Sequence, residues 1–295
     1  MISVCVFGSM ARERCDDLSD RDLLVVAPTA AEAESRAKWW RNGGWSVSPF
    51  AHHQITSMSE RGSLFLQHLK LEGIILEDGG AFLKEVLGSF KPKSDYRREM
   101  EDSVWLLHYL NGQRTVDWTT LCGADITYVS VRNIAISLLA SRRIYDFAFS
   151  SMFHRLRDFG LLSAKDVQAI AALRELKYCY RSRKLDLSGN ELAFKNSLAA
   201  AMTLACSVSS NTMGLQEPPL EDGYRWLRWL EFNLVTQCDP QRLDTLSPAD
   251  PLAPVWRLIK EPRHYPDRPR KYDTTWMLSA RVAFQSAVRS GRLRL

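Results

Sequence analysis

The sequence predicts an α+β protein: a small mixed-sheet domain over residues 1–92, followed by a larger, mostly α-helical domain over residues 93–295. Three observations carry that expectation. Short apolar runs at residues 2–7 and 22–27 flank a glycine turn and are the length of strands rather than helices. From about Ser94 onward, apolar residues recur every three or four positions in one segment after another, the period of a helix buried on one side. Between the two patterns lies Lys91-Pro92-Lys93-Ser94, whose proline disfavours continuation of a helix, and which is the expected domain boundary.

The elements follow in order. Ile2–Phe7 and Asp22–Ala27 read as strands, the second ending at Pro28. Ala30–Trp40 has helix-forming composition with Thr29 as N-cap, and Asn42-Gly43-Gly44 stops it. Trp45–Ile55 reads as a further strand, with Pro49 marking a bulge or a sheet edge. Leu64–Leu71 is an amphipathic helix, Ile74–Leu76 a short strand and Ala81–Leu87 a short helix. Helices are then expected over Tyr96–Leu110, Ile126–Tyr145, Met152–Phe159, Ala164–Arg181 and Glu191–Val208, with breaks at Asn111-Gly112, Gly160 and Ser188-Gly189-Asn190. A Trp-rich helix at Tyr224–Val235, a proline-rich stretch from Pro240 to Pro269 and a last helix at Thr274–Arg289 complete the chain.

Composition narrows the function classes. With 45% hydrophobic and 25% charged residues among 295, the chain has the balance of an ordinary folded protein. It has no run of about 18 apolar residues, so no membrane partner is expected. MISVCVFGS enters a strand directly, with neither a basic start nor a small-residue cleavage site, so no leader is expected and the cytoplasm is the expected location. Cys5, Cys15, Cys122, Cys179, Cys206 and Cys238 are scattered with no CxxC pair, a pattern of reduced thiols rather than of a zinc site. The net charge of +5 is concentrated at the end: residues 256–295 hold ten Lys or Arg against three Asp or Glu. That asymmetry suits an anionic partner or a soluble basic tail.

The chemistry-bearing segment is VFGSMARERCDDLSDRDLLVV. Gly8-Ser9 ends the first strand, ten residues intervene, and Asp20 and Asp22 open the second. Residues two apart on a strand point the same way, so Asp20 and Asp22 are expected side by side. Two carboxylates at that spacing repel unless a cation lies between them, and hard oxygen ligands suit Mg²⁺. Glycine lets backbone approach a phosphate closely, and Ser9 adds a hydroxyl. The segment therefore reads as a site for a metal and a nucleoside triphosphate (NTP).

A Gly-Ser turn after a strand, ten residues and Asp-x-Asp resembles the DNA polymerase beta-like nucleotidyltransferase superfamily, and FGSMAR with SDRDLLVV is most similar to its minimal nucleotidyltransferase branch. The block Glu60–Gly73 resembles the helix and turn after that family's catalytic strands; together the two blocks cover about the first ninety residues. The resemblance implies that Gly8 and Ser9 hold the β and γ phosphates and that Asp20 and Asp22 bind Mg²⁺ or Mn²⁺ and are catalytic. Arg12 either adds a phosphate contact or pairs with Asp16 and Asp17. The implied reaction moves a nucleoside monophosphate (NMP) from an NTP to an acceptor and releases pyrophosphate. Implied acceptors are a protein or an RNA such as tRNA, in the setting of a bacterial toxin–antitoxin or phage-defence system with a helical partner protein. A polycationic antibiotic needs an acidic pocket, and no acidic cluster stands out in the sequence.

One departure separates this chain from the family pattern. The family's third carboxylate lies on the strand after the first helix, and Trp45–Ile55 contains neither Asp nor Glu. Ser46 or Ser48 takes the expected neighbourhood, with His52, His53 or Glu60 as substitutes from nearby sequence. The alternative function is therefore a non-catalytic nucleotide-binding or nucleic-acid-binding subunit that kept the fold.

The helical part weakly resembles the helical domains that accompany minimal nucleotidyltransferases. In one such group, the HEPN ribonucleases, a helix carries an Arg, four to six intervening residues and then a His. Arg61-x6-His68 matches that spacing but lies in the first domain, with His68 expected toward the core or the cleft. A self-contained ribonuclease is not expected. Leu173–Lys184 carries several cations along one helix, either a solvated face or the lining of an anionic cleft. Lys260–Tyr272 interleaves cations, prolines and aromatics, with Arg263, Arg268, Arg270 and Lys271 as nucleic-acid contacts or as a surface loop bracing the last helix. The tryptophans at 226, 229, 256 and 276 read as core or interface anchors.

Overall fold

A computed structural model describes residues 1–13, 16–113, 118–182, 190–209, 216–238, 240–260 and 274–289. Its N-terminal part is a four-stranded mixed sheet of order β3-β2-β1-β4. The strands are β1 (Ser3–Phe7), β2 (Asp22–Ala27), β3 (Ser46–Ala51) and β4 (Ile74–Asp78). β1 pairs antiparallel with both β2 and β4, while β2 and β3 run parallel. The mixed sheet with a mostly helical remainder is the expected α+β class.

The two sheet faces have separate cores. Val4, Val6, Leu23, Val25 and Val47 pack with Ala37 and Trp40 of α1 (Ala30–Asn42). Cys5, Phe7, Leu24 and Val26 pack on the other side, against Ile55 of α2 (His52–Glu60), Leu66 and Leu69 of α3 (Leu64–Glu72), and Leu83 and Leu87 of α4 (Phe82–Ser89). The alternation along β1 and β2 sorts these residues, because side chains two apart share a face. α1 starts where Thr29 accepts from the Glu32 amide at 3.2 Å and stops at Gly43, as its sequence predicts. Pro49 sits in β3, an edge strand, where one N–H fewer is tolerated.

Among the described residues ten further helices follow: α5 (Arg97–Asn111), α6 (Trp118–Ser141), α7 (Phe149–Asp158), α8 (Ala164–Ala171), α9 (Leu173–Ser182), α10 (Asn190–Val208), α11 (Gly223–Gln237), α12 (Pro240–Asp244), α13 (Ala253–Lys260) and α14 (Thr274–Arg289). The chain divides into two units. Met1–Arg97 groups with Ala135–Arg155; Arg98–Ile134 groups with the described residues from Leu156 onward. In the second unit Phe194, Trp226 and Phe232 are fully buried. The helices approach closely at Gly123, where a Cβ would stand 2.9 Å from the Phe194 ring. Trp229 and Trp256 are also buried, and the indole of half-buried Trp276 donates to the Pro251 carbonyl.

That second unit also buries charge. Asp125 accepts from Arg181 Nε at 3.0 Å and Arg228 Nη2 at 2.9 Å, and Arg228 Nη1 meets Glu231 at 2.9 Å. Burial pushes the Asp125 carboxyl up, but the charges of Arg181 and Arg228 outweigh it and bring the group to about 2. Part of the cationic run on α9 is thus spent on this network rather than on solvent, and Lys177 lies over the Tyr128 ring.

Four sequence expectations change. Trp45–Ile55 is not one strand: β3 ends at Ala51 and α2 begins at His52, where the Gln54 side chain accepts from the Ala51 amide at 2.8 Å. Ala164–Arg181 is two helices meeting at Ala172. α6 begins at Trp118, eight residues before the expected start at Ile126. The proline-rich stretch contains α12 and α13, with Pro240 opening α12, since proline's missing N–H is unneeded there. Arg263, Arg268, Arg270 and Lys271, together with Cys15, lie outside the described residues.

Candidate functional site

The four strands converge at one end of the sheet. β1 finishes there at Phe7, while β2, β3 and β4 begin there at Asp22, Ser46 and Ile74. Gly8 follows Phe7, whose cross-strand partner is Asp22. The glycine has φ +74°, and a Cβ on it would stand 3.0 Å from the Asp22 Oδ2 atom. The backbone favours glycine, because an L side chain is strained at that φ, and any Cβ there would push on the Asp22 carboxylate.

Ser9 Oγ lies 3.5 Å from the Asp20 carbonyl, a long contact that ties the two ends of the loop. Between them, Asp16 and Ser19 close a local turn through a hydroxyl–carboxylate bond of 2.7 Å and a backbone bond of 2.9 Å. The loop thus brings Gly8 against Asp22 and Ser9 against the backbone of Asp20. Asp20 differs in one respect. It precedes β2 rather than opening it, so strand alternation does not fix its direction. Ladder pairing begins beside it, where the Ser46 amide donates to the Arg21 carbonyl at 2.8 Å.

The neighbouring strand supplies no acid. Ser46 is the register partner of Asp22 and Ser48 that of Leu24. His52 and His53 are displaced from the role considered for them. They follow Ala51, at the other end of β3, roughly 17 Å along the strand from Ser46. His52 stacks on Phe82 there, with ring centroids 3.9 Å apart. Glu60 ends α2 and is exposed.

Arg12 finds a carboxylate outside its own loop. Its backbone amide donates to the Gly8 carbonyl at 3.3 Å, one turn beyond the glycine, and its Nη1 pairs with Glu72 Oε2 at the end of α3. The same oxygen lies 2.9 Å from His68 Nε2. Burial raises the Glu72 carboxyl, but the hydrogen bond and charge of His68, then the charge and hydrogen bond of Arg12, hold it below its ordinary value. His68 is buried, stacked on Phe147 at 4.4 Å and edge-on to Phe7 at 5.6 Å. Glu72 and Phe147 are the site residues that sequence reasoning missed. His68-x3-Glu72 is a one-turn pair readable from the sequence, whereas nothing local points to Phe147.

The residues fit a divalent cation only with help. No group of three or more His, Cys, Asp or Glu among the described residues is placed to hold a metal. Mg²⁺ commonly takes one or two carboxylates and completes its shell with substrate phosphates and water. Asp22, beside the Gly8 turn, offers one such carboxylate. No helix among the described residues is long and apolar enough to cross a membrane. No protein-family model and no curated protein matches the chain.

Proposed function

We propose that the first unit binds an NTP with Mg²⁺ or Mn²⁺, and that the protein transfers the NMP moiety to a protein or RNA acceptor. One observation carries this reading: the Gly8 turn lies directly against the Asp22 carboxylate. A phosphate-accommodating backbone and a hard oxygen ligand thus share one end of a rigid sheet.

In this reading Asp20 and Asp22 hold the ion, which supplies neutralisation of triphosphate charge when bound. Gly8 leaves room for the phosphate oxygens and Ser9 Oγ donates to them. Arg12, one turn beyond Gly8, adds a fixed positive charge. The acceptor hydroxyl oxygen forms a bond to the α-phosphorus and gives up its proton to solvent, the bond from that phosphorus to the β-phosphate oxygen breaks, and pyrophosphate leaves. The basic end of the chain favours an anionic acceptor over a cationic one.

A second reading is favoured by Ser46. It stands opposite Asp22 where a carboxylate is wanted, and serine neither ligates metal strongly nor accepts a proton at neutral pH. That reading is nucleotide binding without transfer. Incubation with each α-labelled NTP, Mg²⁺, total tRNA and cell lysate separates the two. Label on an acceptor, lost in Asp20→Ala/Asp22→Ala, supports transfer. Binding of NTP with no labelled product supports the second reading. No NTP binding at all removes both.

A further inference from the structure

Arg12 is anchored both at its backbone amide and at Nη1, which leaves part of its guanidinium unused. We propose that Glu72 and His68 are positioning residues that aim Arg12 at the terminal phosphates of the bound NTP, making the site selective for the triphosphate over the monophosphate. This rests on the nucleotide reading above and adds the residues that set its phosphate specificity.

The chain of support runs from the core outward. His68 is fixed by Phe147 on its face, at 4.4 Å and 17° between ring planes, and by the near-perpendicular ring of Phe7. Phe7 is the residue immediately before Gly8 and the partner of Asp22, so His68 is referenced to the same strand end as the candidate site. His68 Nε2 meets Glu72 Oε2 at 2.9 Å, and that oxygen also pairs with Arg12 Nη1. The Arg12 backbone is separately tied to the Gly8 carbonyl. Both ends of the Arg12 side chain are therefore located relative to the turn.

Arginine carries five N–H donors in a planar fork. Nη1 is committed to Glu72, whereas Nε is buried and has no hydrogen-bond partner among the described residues. Nη2 remains to donate to a phosphate oxygen, and the side chain keeps 22% exposure. Arg12 does not have to leave Glu72 to do so. Leaving would strip a carboxylate of 18% exposure of its cation, a costly step for a group largely out of water. Glu72 thus acts through Arg12, and only ligands with phosphates beyond the first gain from it.

The test is equilibrium binding, with Mg²⁺, of an NTP whose α–β bridging oxygen is replaced by methylene, and of the matching NMP. Wild type, Arg12→Lys, Glu72→Gln and the double variant are compared. Each single variant is expected to lose on the order of tenfold in triphosphate affinity, the scale of one charge-assisted hydrogen bond, with NMP affinity unchanged. The double variant loses little more than Arg12→Lys alone. His68→Phe keeps an aromatic ring for the Phe147 and Phe7 contacts but cannot reach Glu72 with a donor. It gives the same selective loss at smaller size and carries the test if Glu72→Gln does not fold. A folded Glu72→Gln that keeps the wild-type triphosphate-to-monophosphate ratio overturns the inference, as does a double variant whose two losses multiply. Loss of transfer with no change in that ratio also overturns it, by making Glu72 a group of the chemical step. Failure of wild type to bind either ligand, with Asp22→Asn no different, removes the nucleotide reading itself.

Discussion

Gly8→Ala probes the contact on which the candidate site depends, and Gly44→Ala is its internal control. Both glycines have positive φ, +74° and +81°. At Gly44 a Cβ would meet nothing within 4 Å, whereas at Gly8 it would stand 3.0 Å from Asp22 Oδ2. Gly44→Ala therefore isolates the backbone cost of a left-handed alanine, about 1 kcal/mol. Gly8→Ala adds displacement of the Asp22 carboxylate from its rotamer, a further 0.5–1.5 kcal/mol or about that. Denaturant titration, analysed for the transition that reports the sheet, gives the two costs. Calorimetric titration with Mg²⁺ and a non-hydrolysable NTP gives their functional counterpart. Gly44→Ala retains wild-type affinity, because its new methyl points into open space after α1. Gly8→Ala loses at least about tenfold, a cost of roughly 1.4 kcal/mol, since the methyl crowds and turns a ligand carboxylate. Equal destabilisation by both variants, with wild-type nucleotide affinity in Gly8→Ala, would refute the claim that this glycine is required by its neighbour across the strand.

Two further predictions follow from the register and from the buried charges. Ser46→Asp places a third carboxylate opposite Asp22, so in NTP-free protein it destabilises by up to about 1 kcal/mol through like-charge repulsion across the strands, and added Mg²⁺ reverses part of that loss. Its transfer rate rises above wild type; an unchanged or lower rate shows that β3 is not where the chemistry lacks a group. Asp125→Asn leaves Arg228 with Glu231 in a buried site and costs roughly 3–5 kcal/mol by denaturant titration, and a loss below about 1 kcal/mol would count against the ion network as a core element. The carboxyl of Asp125 is lowered from 3.8 to about 2 in the folded protein, so its contribution is fully present above about pH 4 and disappears as the pH falls through about 2. That contribution is roughly 2 kcal/mol, and the wild-type fall in stability over this interval is correspondingly shallower in Asp125→Asn.

What was legible in the sequence was local. Thr29 and Gly43 bound α1 because caps act through residues three or four apart. The last helix, Thr274–Arg289, has the predicted bounds. α2 was hidden because His52–Glu60 contributes a single fully buried residue, Ile55, and so carries almost no helical period. The break at Ala172 between α8 and α9 has no Gly or Pro to announce it. α12 was obscured by Pro240, which elsewhere in a helix would break it.

By itself the sequence determined the α+β class, the positions of Gly8, Ser9, Asp20 and Asp22 at one loop, and the want of an acid in Trp45–Ile55. These depend on spacing along the chain and on the two-residue repeat of strands, which a linear reading retains. Only the tertiary structure decided which face and which end of the sheet each group occupies. It set Ser46 beside Asp22, removed His52 and His53 to the far end of β3, and joined Arg12 to Glu72 across sixty residues of sequence. It likewise returned Ala135–Arg155 to the N-terminal unit, where Phe147 fixes His68. Such pairings are set by strand register and by burial of apolar faces, which depend on the whole chain at once and leave no signature at any one position.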